Sequence, residues 1–147
     1  MNIAIVGATG NVGRKIIEVL ERKNFSVTNL YLLASAKSSG VKIKFKDSEI
    51  EVSDLENFDF SKADITFFSA GGKISEKYVS AAAKHTVVID NSSYFRMDPD
   101  VPLIVPQVNS KEIKNMKKNI LANPNCSTAQ LVICLLYTSP SPRDKRQ

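Results

Sequence analysis

The sequence predicts an α/β fold built on a Rossmann-like, doubly wound, mostly parallel sheet. Short apolar runs alternate along the chain with segments in which apolar residues recur at helical spacing. The first apolar run ends in a glycine-rich loop that opens the first helical segment, as in dinucleotide-binding proteins. The 147 residues, 43% hydrophobic and 24% charged, are ordinary for one globular domain.

Each predicted strand is a short apolar run bounded by turn residues. The first, residues 2–6, ends at Gly7, and residues 41–53 alternate weakly between apolar and polar, which favours a hairpin around 46–48. The other strands are expected at 28–33, 65–68, 86–89, 103–105 and 120–122.

The predicted helices carry apolar residues on one face. In the first, over 11–23, Val12, Ile16 and Leu20 recur every four residues. Further helices are expected over 74–84, over 110–118 as a basic amphipathic segment, and from about 127 through the apolar residues 131–137. Strands that alternate with helices in this way indicate parallel pairing through right-handed crossovers.

The end of the chain departs from this pattern. Pro140 and Pro142 are followed only by polar residues, which can neither continue a helix nor fill a core. We therefore predict a dinucleotide-binding domain over 1–133 and a tail over 134–147. That tail is either non-native sequence or a natural disordered end.

Charge and cysteine content exclude several classes of protein. The net charge of +5 is spread diffusely, so we expect no nucleic-acid partner. No apolar run reaches the roughly 18 residues of a membrane span, and the N-terminus does not read as a signal peptide. Cys126 and Cys134 would lie about 12 Å apart on one helix, beyond disulfide reach, and with a single histidine they provide no metal site. These features fit a cytoplasmic protein.

The glycine loop after the first strand is the first candidate site. Glycines allow a tight turn and close approach of the backbone to a pyrophosphate, and the following helix supplies free N–H groups. The spacing is G-x-x-G-x-x-G rather than G-x-G-x-x-G, and a purely structural turn is the alternative. The candidate cofactor-binding residues of this loop are Gly7, Thr9, Gly10, Asn11, Val12 and Gly13.

The end of the second strand predicts which cofactor binds. NAD sites usually carry a carboxylate there, whereas this chain has Ser35, Lys37 and Ser38, whose hydroxyls and ammonium suit a 2′-phosphate. We therefore expect NADP(H), with a solvated turn as the alternative. Ser69, Ala70, Gly71 and Gly72 follow the 65–68 strand and are also expected at the cofactor, unless they form a simple helix start.

Cys126 is the candidate nucleophile. It begins the last predicted helix, where the positive end of the helix dipole favours a thiolate. Cys134 lies in an apolar run, and we expect it to be buried and inert. His85 is the only histidine, but we place it in the turn after the 74–84 helix, at the sheet edge away from the strand tips.

Five segments in order resemble aspartate-semialdehyde dehydrogenases. They are GATGNVG at 7–13, SAKSSG at 35–40, FFSAGG at 67–72, VIDNSSYFRMDPDVP at 88–102 and ANPNCST at 122–128. The resemblance implies an NADP-dependent oxidoreductase that converts L-aspartyl 4-phosphate to L-aspartate 4-semialdehyde and phosphate. Such an enzyme would be a cytoplasmic homo-oligomer serving lysine, threonine and methionine biosynthesis.

The resemblance also implies roles for residues. Cys126 would form the thioester, Arg96 would bind phosphate or the substrate's phosphoryl group, and Asn125 would help to position it. Thr9, Gly10, Asn11 and Val12 would hold the pyrophosphate, with Lys37 and Ser38 at the 2′-phosphate; the family often has arginine at Lys37. The family's second domain, for substrate binding and dimerisation, is expected to be missing, so the chain alone should not turn over.

Two alternatives remain open: an N-acetyl-glutamyl-phosphate reductase-like enzyme, and a non-catalytic NADP-binding domain. A short-chain dehydrogenase would need the motif Tyr-x-x-x-Lys. The residues four positions after the four tyrosines are Ser35, Ala82, Asp98 and Ser141, none of which is lysine, so this class is excluded.

Overall fold

The computed structural model describes residues 1–138, which contain one seven-stranded sheet. The spatial order is β3-β4-β2-β1-β5-β6-β7, and every neighbouring pair is parallel except the β3–β4 hairpin. The strands are β1 Asn2–Val6, β2 Asn29–Ala34, β3 Lys42–Phe45, β4 Ser48–Asp54, β5 Ile65–Phe68, β6 Val87–Asp90 and β7 Ile120–Ala122. The predicted Rossmann-like α/β class is confirmed.

The described residues form four α-helices, two of which pack on the sheet. They are α1 Asn11–Arg22, α2 Gly72–Ala82, α3 Pro106–Asn109 and α4 Cys126–Thr138. Successive residues of a strand face opposite sides of the sheet. Ile5 packs in one core cluster with Ile17 of α1, and Val6 packs in the other with Val79 of α2. The sheet is therefore wound on both faces, with α1 and α2 on opposite sides.

Parallel pairing aligns the carboxyl ends of the strands. β1 pairs with β2 on one side and with β5 on the other, and β6 follows β5. The loops after these strands consequently meet along one edge of the sheet, where α/β proteins bind ligands. Among the described residues, no helix is long and apolar enough to cross a membrane.

Two predicted elements between β6 and β7 are wrong. Residues 103–105 form only an isolated bridge, Leu103 with Ala122, because Pro102 and Pro106 leave three residues between positions that lack an N–H donor. The expected helix over 110–118 is instead a 3₁₀ segment, Ser110–Asn115. Asn109, at φ −138° and ψ 33°, interrupts the helical path between α3 and this segment.

The buried face of α1 is rotated from the prediction. Gly13, Ile17 and Leu20 are buried, whereas Val12 is 46% exposed. Val12 and Ile16 instead border a cavity of about 380 Å³, together with Phe67 of β5 and Ile89 of β6. On this face α1 packs in one cluster with residues of β1, β2, β3 and β4, and β5 and β6 are left partly open.

Helix α4 is strongly apolar, yet none of its residues is buried. The expectation that Cys134 is buried was therefore wrong: it is exposed, as is Cys126. The main neighbour of α4 is the four-residue α3, which is too small to cover it. The proposed domain boundary at 133/134 falls inside this helix, and residues 139–147 of the proposed tail lie outside the described residues.

Candidate functional site

The glycine loop draws three strand ends together. Gly7 has φ +84°, and its N–H donates to the Leu33 carbonyl of β2 at 2.8 Å. A Cβ on Gly7 would come within 2.9 Å of the Ser69 carbonyl carbon after β5. Only glycine combines this positive φ with this backbone approach. The loop is thus held against the ends of both β2 and β5.

Gly13 sets the distance between the loop and α1. A Cβ there would lie 2.8 Å from the Ala8 Cα and closer still to the Gly7 carbonyl oxygen. The loop therefore rests directly on the first turn of α1, whose N-cap residue, Gly10, has no side chain to satisfy the free N–H groups. These N–H groups and the helix dipole favour an anion at this point, so the residues present fit a dinucleotide pyrophosphate.

A cavity of about 810 Å³ lies beside this loop. It is bounded by the loops after β1, β2 and β5, as predicted for a dinucleotide site. Eight of the predicted cofactor-binding residues line it: Gly7, Thr9, Gly10, Ser35, Lys37, Ser38, Ser69 and Ala70.

Five predicted cofactor-binding residues do not line this cavity. Asn11 and Val12 lie in the first turn of α1 and are exposed, and Gly13 is buried beneath the loop. Gly71 and Gly72 begin α2, with Gly71 at φ +88°.

The cavity is also lined by three charged residues and a tyrosine that the sequence analysis missed. Asp54 ends β4, Glu56 follows it, and Lys77 and Tyr78 come from α2. No short-range pattern in the sequence reveals Asp54 and Glu56, because they reach the cavity through the pairing of β4 with β2, in which Asp54 lies opposite Ala34. Residues 41–53 were expected to form only a small hairpin.

Arg96 joins the loops after β6 and β7. Its Nε donates to the Asn123 carbonyl at 2.9 Å, and its Nη2 donates to the Asn91 carbonyl at 3.1 Å. The Asn123 side-chain amide donates to the Asn91 side-chain oxygen at 2.5 Å. Arg96 therefore braces both loops through Nε and Nη2. Among residues 1–138, no hydrogen bond involves its Nη1, which keeps its donor N–H groups for a ligand.

Asp90, at the end of β6, organises the same region from the core. Its side chain is fully buried and accepts hydrogen bonds from the hydroxyls of Ser75 and Ser92, each at 2.8 Å, and from the Ser92 N–H at 3.0 Å. Ser75 belongs to the first turn of α2, so its hydroxyl reaches Asp90 from the N-terminal end of that helix. Asp90 thereby connects α2 to the loop that carries Arg96.

Cys126 is the first residue of α4 and is exposed, as predicted for a helix start. The preceding Asn125 caps the helix: its side-chain oxygen accepts the Ser127 N–H at 2.9 Å, and its carbonyl accepts the Ala129 N–H at 2.9 Å. The Cys126 thiol lies 3.9 Å from the same side-chain oxygen. Asn125 thus fixes the helix end from which the thiol projects.

His85 lies where the sequence analysis placed it. Its N–H donates to the Ala82 carbonyl at 2.9 Å in the exposed turn between α2 and β6. This turn leads into the amino end of β6, whereas Cys126 follows the carboxyl end of β7. The two residues therefore lie at opposite edges of the parallel sheet.

Comparison with known families identifies this arrangement. Residues 2–116 match the model of the semialdehyde dehydrogenase NAD-binding domain. The chain belongs to this family. The semialdehyde dehydrogenase domain so defined includes the glycine loop, the 35–40 turn and the loop that carries Arg96, and it ends before Cys126.

Relatives extend the match to the Cys126 region. The aspartate-semialdehyde dehydrogenase of Shewanella violacea is 48% identical over 136 residues, and that of Aquifex aeolicus is 52% identical over 136 residues. The alignments cover 91% and 90% of this chain but only 40% of each relative, so the chain spans well under half the length of these enzymes.

Solved semialdehyde dehydrogenases share the fold. Aspartate-semialdehyde dehydrogenase II of Vibrio cholerae, solved with ASA, is 46% identical with a TM-score of 0.90, over 94% of this chain and 46% of that one. A probable aspartate-semialdehyde dehydrogenase of Pseudomonas aeruginosa is 30% identical with a TM-score of 0.82, over 94% of this chain and 42% of that one. The resemblance inferred from the five sequence segments is confirmed.

Proposed function

We propose that this chain is the NADP(H)-binding and thioester-forming part of an aspartate-semialdehyde dehydrogenase, acting in the biosynthesis of lysine, threonine and methionine. The reaction is the conversion of L-aspartyl 4-phosphate to L-aspartate 4-semialdehyde. The observation that carries the proposal is that these groups all follow the carboxyl ends of parallel strands of one sheet. The glycine loop after β1 and the Lys37 turn after β2 line one cavity, and Cys126 begins the helix that follows β7.

The cavity supports binding of a nicotinamide cofactor with a 2′-phosphate. The glycine loop and the start of α1 provide the pyrophosphate site, and Ser35, Lys37 and Ser38 provide hydroxyls and an ammonium for the 2′-phosphate. An aspartate-semialdehyde dehydrogenase of Candida albicans, 27% identical with a TM-score of 0.69, was solved with NADP. When bound, the reduced cofactor supplies the hydride for the reductive step.

Cys126 performs the covalent step in this proposal. Its thiolate sulfur attacks the acyl carbon of aspartyl phosphate and forms a carbon–sulfur bond, while the carbon–oxygen bond breaks and phosphate leaves with the electron pair. Cys126 is exposed at the first residue of α4, so its sulfur is accessible for this attack. Asn125 holds that helix end in place through its cap.

Arg96 binds the phosphoryl group in this proposal. Two of its nitrogens hold the carbonyls of Asn91 and Asn123, which orients the guanidinium beside the loop that leads to Cys126. A guanidinium oriented in this way supplies charge-assisted hydrogen bonds to phosphate oxygens without further ordering. Asn125 assists by positioning the reacting thiol next to the same loop.

We expect this chain to bind NADP⁺ about 10-fold more tightly than NAD⁺, because Lys37 provides one charge-assisted hydrogen bond to the 2′-phosphate. Isothermal titration with each cofactor measures the two affinities. Lys37→Glu should reverse the order through like-charge repulsion. Equal affinities for the unmodified chain would contradict the assignment to NADP(H).

We expect Cys126 to react with iodoacetamide about 2- to 5-fold faster than Cys134 at neutral pH, which is the size of a helix-dipole effect at an exposed thiol. Both thiols are exposed on α4, so Cys134 serves as an internal control for accessibility. Mass spectrometry of the variants Cys126→Ser and Cys134→Ser gives each rate separately. Equal rates would favour a non-catalytic cofactor-binding domain.

A further inference from the structure

The cavity beside the glycine loop contains two carboxylates that do not come from the end of β2. Asp54 and Glu56 line it together with Lys37 and Lys77, so these four charges sum to zero. A 2′-phosphate adds negative charge to the cofactor, so an unscreened carboxylate in this cavity would weaken binding of NADP more than binding of NAD. The groups that pair with the carboxylates of Asp54 and Glu56 therefore affect whether the cavity prefers NADP or NAD.

The two carboxylates are held differently. Asp54 accepts the Glu56 N–H at 3.2 Å and caps the short 3₁₀ turn Leu55–Asn57, a local backbone role. Glu56 instead reaches α2, where its Oε1 accepts from the Lys77 ammonium at 3.2 Å and from the Tyr78 hydroxyl at 3.4 Å. Glu56 is thus the carboxylate whose charge a second element of the fold neutralises.

Lys77 is placed to remain charged while it does so. Its Nζ lies 4.8 Å from the centroid of the Tyr78 ring, and interaction with Tyr78, and then with Glu56, raises the pKa of Lys77 above its usual value. The side chains of Lys77 and Glu56 are 62% and 68% exposed. An ion pair this exposed contributes little to stability, so its removal should leave the fold intact.

We infer that the Glu56–Lys77 ion pair is a specificity determinant that allows this cavity to favour a nicotinamide cofactor with a 2′-phosphate over one without it. The inference rests on the proposed function. Lys77 cancels the charge of Glu56, so Lys37 attracts the phosphate against one carboxylate, that of Asp54, instead of two. Without Lys77, the bare Glu56 carboxylate opposes the phosphate and accepts hydrogen bonds from an unmodified ribose, as carboxylates in NAD sites do.

The test is titration of the full chain with NADP⁺ and with NAD⁺, read as the ratio of the two affinities. Lys77→Met keeps an unbranched side chain of similar length and removes the charge; we expect it to lower the NADP:NAD ratio about 5-fold. Glu56→Gln should raise the ratio about 2-fold. In the Glu56→Gln background, Lys77→Met should lower the ratio only about 2-fold, back to that of the unmodified chain, because it removes the freed lysine charge and exposes no carboxylate.

The matched control is Lys73→Met, which makes the same charge change on α2 at a residue that does not line the cavity. It should leave the ratio unchanged, and thermal melting should show the same stability for all of these variants. An equal loss from Lys73→Met and Lys77→Met would overturn the inference, as would a loss from Lys77→Met that is the same with and without Glu56.

Failure of the inference can be separated from failure of the proposed function. If Lys37→Met lowers the NADP:NAD ratio while the Glu56 and Lys77 variants leave it unchanged, the cavity binds NADP and only the role of the ion pair is wrong. If the unmodified chain binds neither cofactor, or prefers NAD, both the proposed function and the inference are wrong.

Discussion

Replacing Gly13 by alanine should abolish cofactor binding and lower the free energy of unfolding by about 3 kcal/mol or more. Alanine in a helix is ordinarily more stable than glycine by about 1 kcal/mol, so a loss here would have to come from the clash. The new Cβ would meet the Gly7 carbonyl and the Ala8 Cα, both of them backbone atoms of the loop. The loop would have to lift away from α1, which would separate it from the helix N-terminus.

Urea unfolding and titration with NADP⁺ measure the two effects of Gly13→Ala. Gly72→Ala is the stability control, because it also places a Cβ in the first turn of a helix but its nearest neighbour is 3.9 Å away. Gly72→Ala should unfold at the same urea concentration as the unmodified chain or at a higher one. A Gly13→Ala variant of normal stability and affinity would show that the loop does not depend on its contact with α1.

Replacing Asp90 by alanine should lower the free energy of unfolding by about 3–5 kcal/mol, because three buried donor groups would lose their acceptor. Three hydrogen bonds to the carboxylate would be lost, which would leave the hydroxyls of Ser75 and Ser92 and the Ser92 N–H without that acceptor in the core. Each buried polar group left unpaired costs about 1–3 kcal/mol.

Ser75→Ala provides the comparison for Asp90, because it removes one donor and leaves the other two hydrogen bonds to the carboxylate in place. We expect it to cost about 1 kcal/mol. Should Asp90→Ala fail to fold, Asp90→Asn retains an acceptor oxygen of the same shape and should fall between the two. Urea unfolding of all three gives the order. A loss for Asp90→Ala no larger than that for Ser75→Ala would contradict the role of Asp90 as the centre of this network.

The parts of the fold that the sequence predicted well are those encoded over a few residues. Residues 2–6, 65–68 and 120–122 are apolar runs bounded by turns, and they are strands at those positions. The region between β6 and β7 was predicted poorly. There, Pro102, Pro106 and the backbone of Asn109 override apolar and helical patterns that look regular in the sequence.

The faces of the helices show the same division. The period of α1 was correct and Leu20 is buried as predicted, but one turn earlier the buried residue is Ile17 and not Ile16. Periodicity specifies that one face is apolar, whereas the position of the sheet decides which apolar residues it covers. Cys134 was misplaced for a related reason, because a run of apolar residues predicts burial only where another element covers it.

The sequence by itself determined the α/β class, the glycine loop, the Lys37 turn and the position of Cys126 at a helix start. These depend on residue types at short spacing, which local backbone chemistry translates directly into turns and helix ends. Only the tertiary structure decided that Glu56 and Lys77 enter the cofactor cavity, that Arg96 braces two loops and that Asp90 is buried with Ser75. Their long-range hydrogen bonds join residues from 15 to 27 positions apart. They exist because β4 aligns beside β2 and because β5, β6 and β7 align in parallel, and long-range strand pairing of this kind leaves no short-range pattern in the sequence.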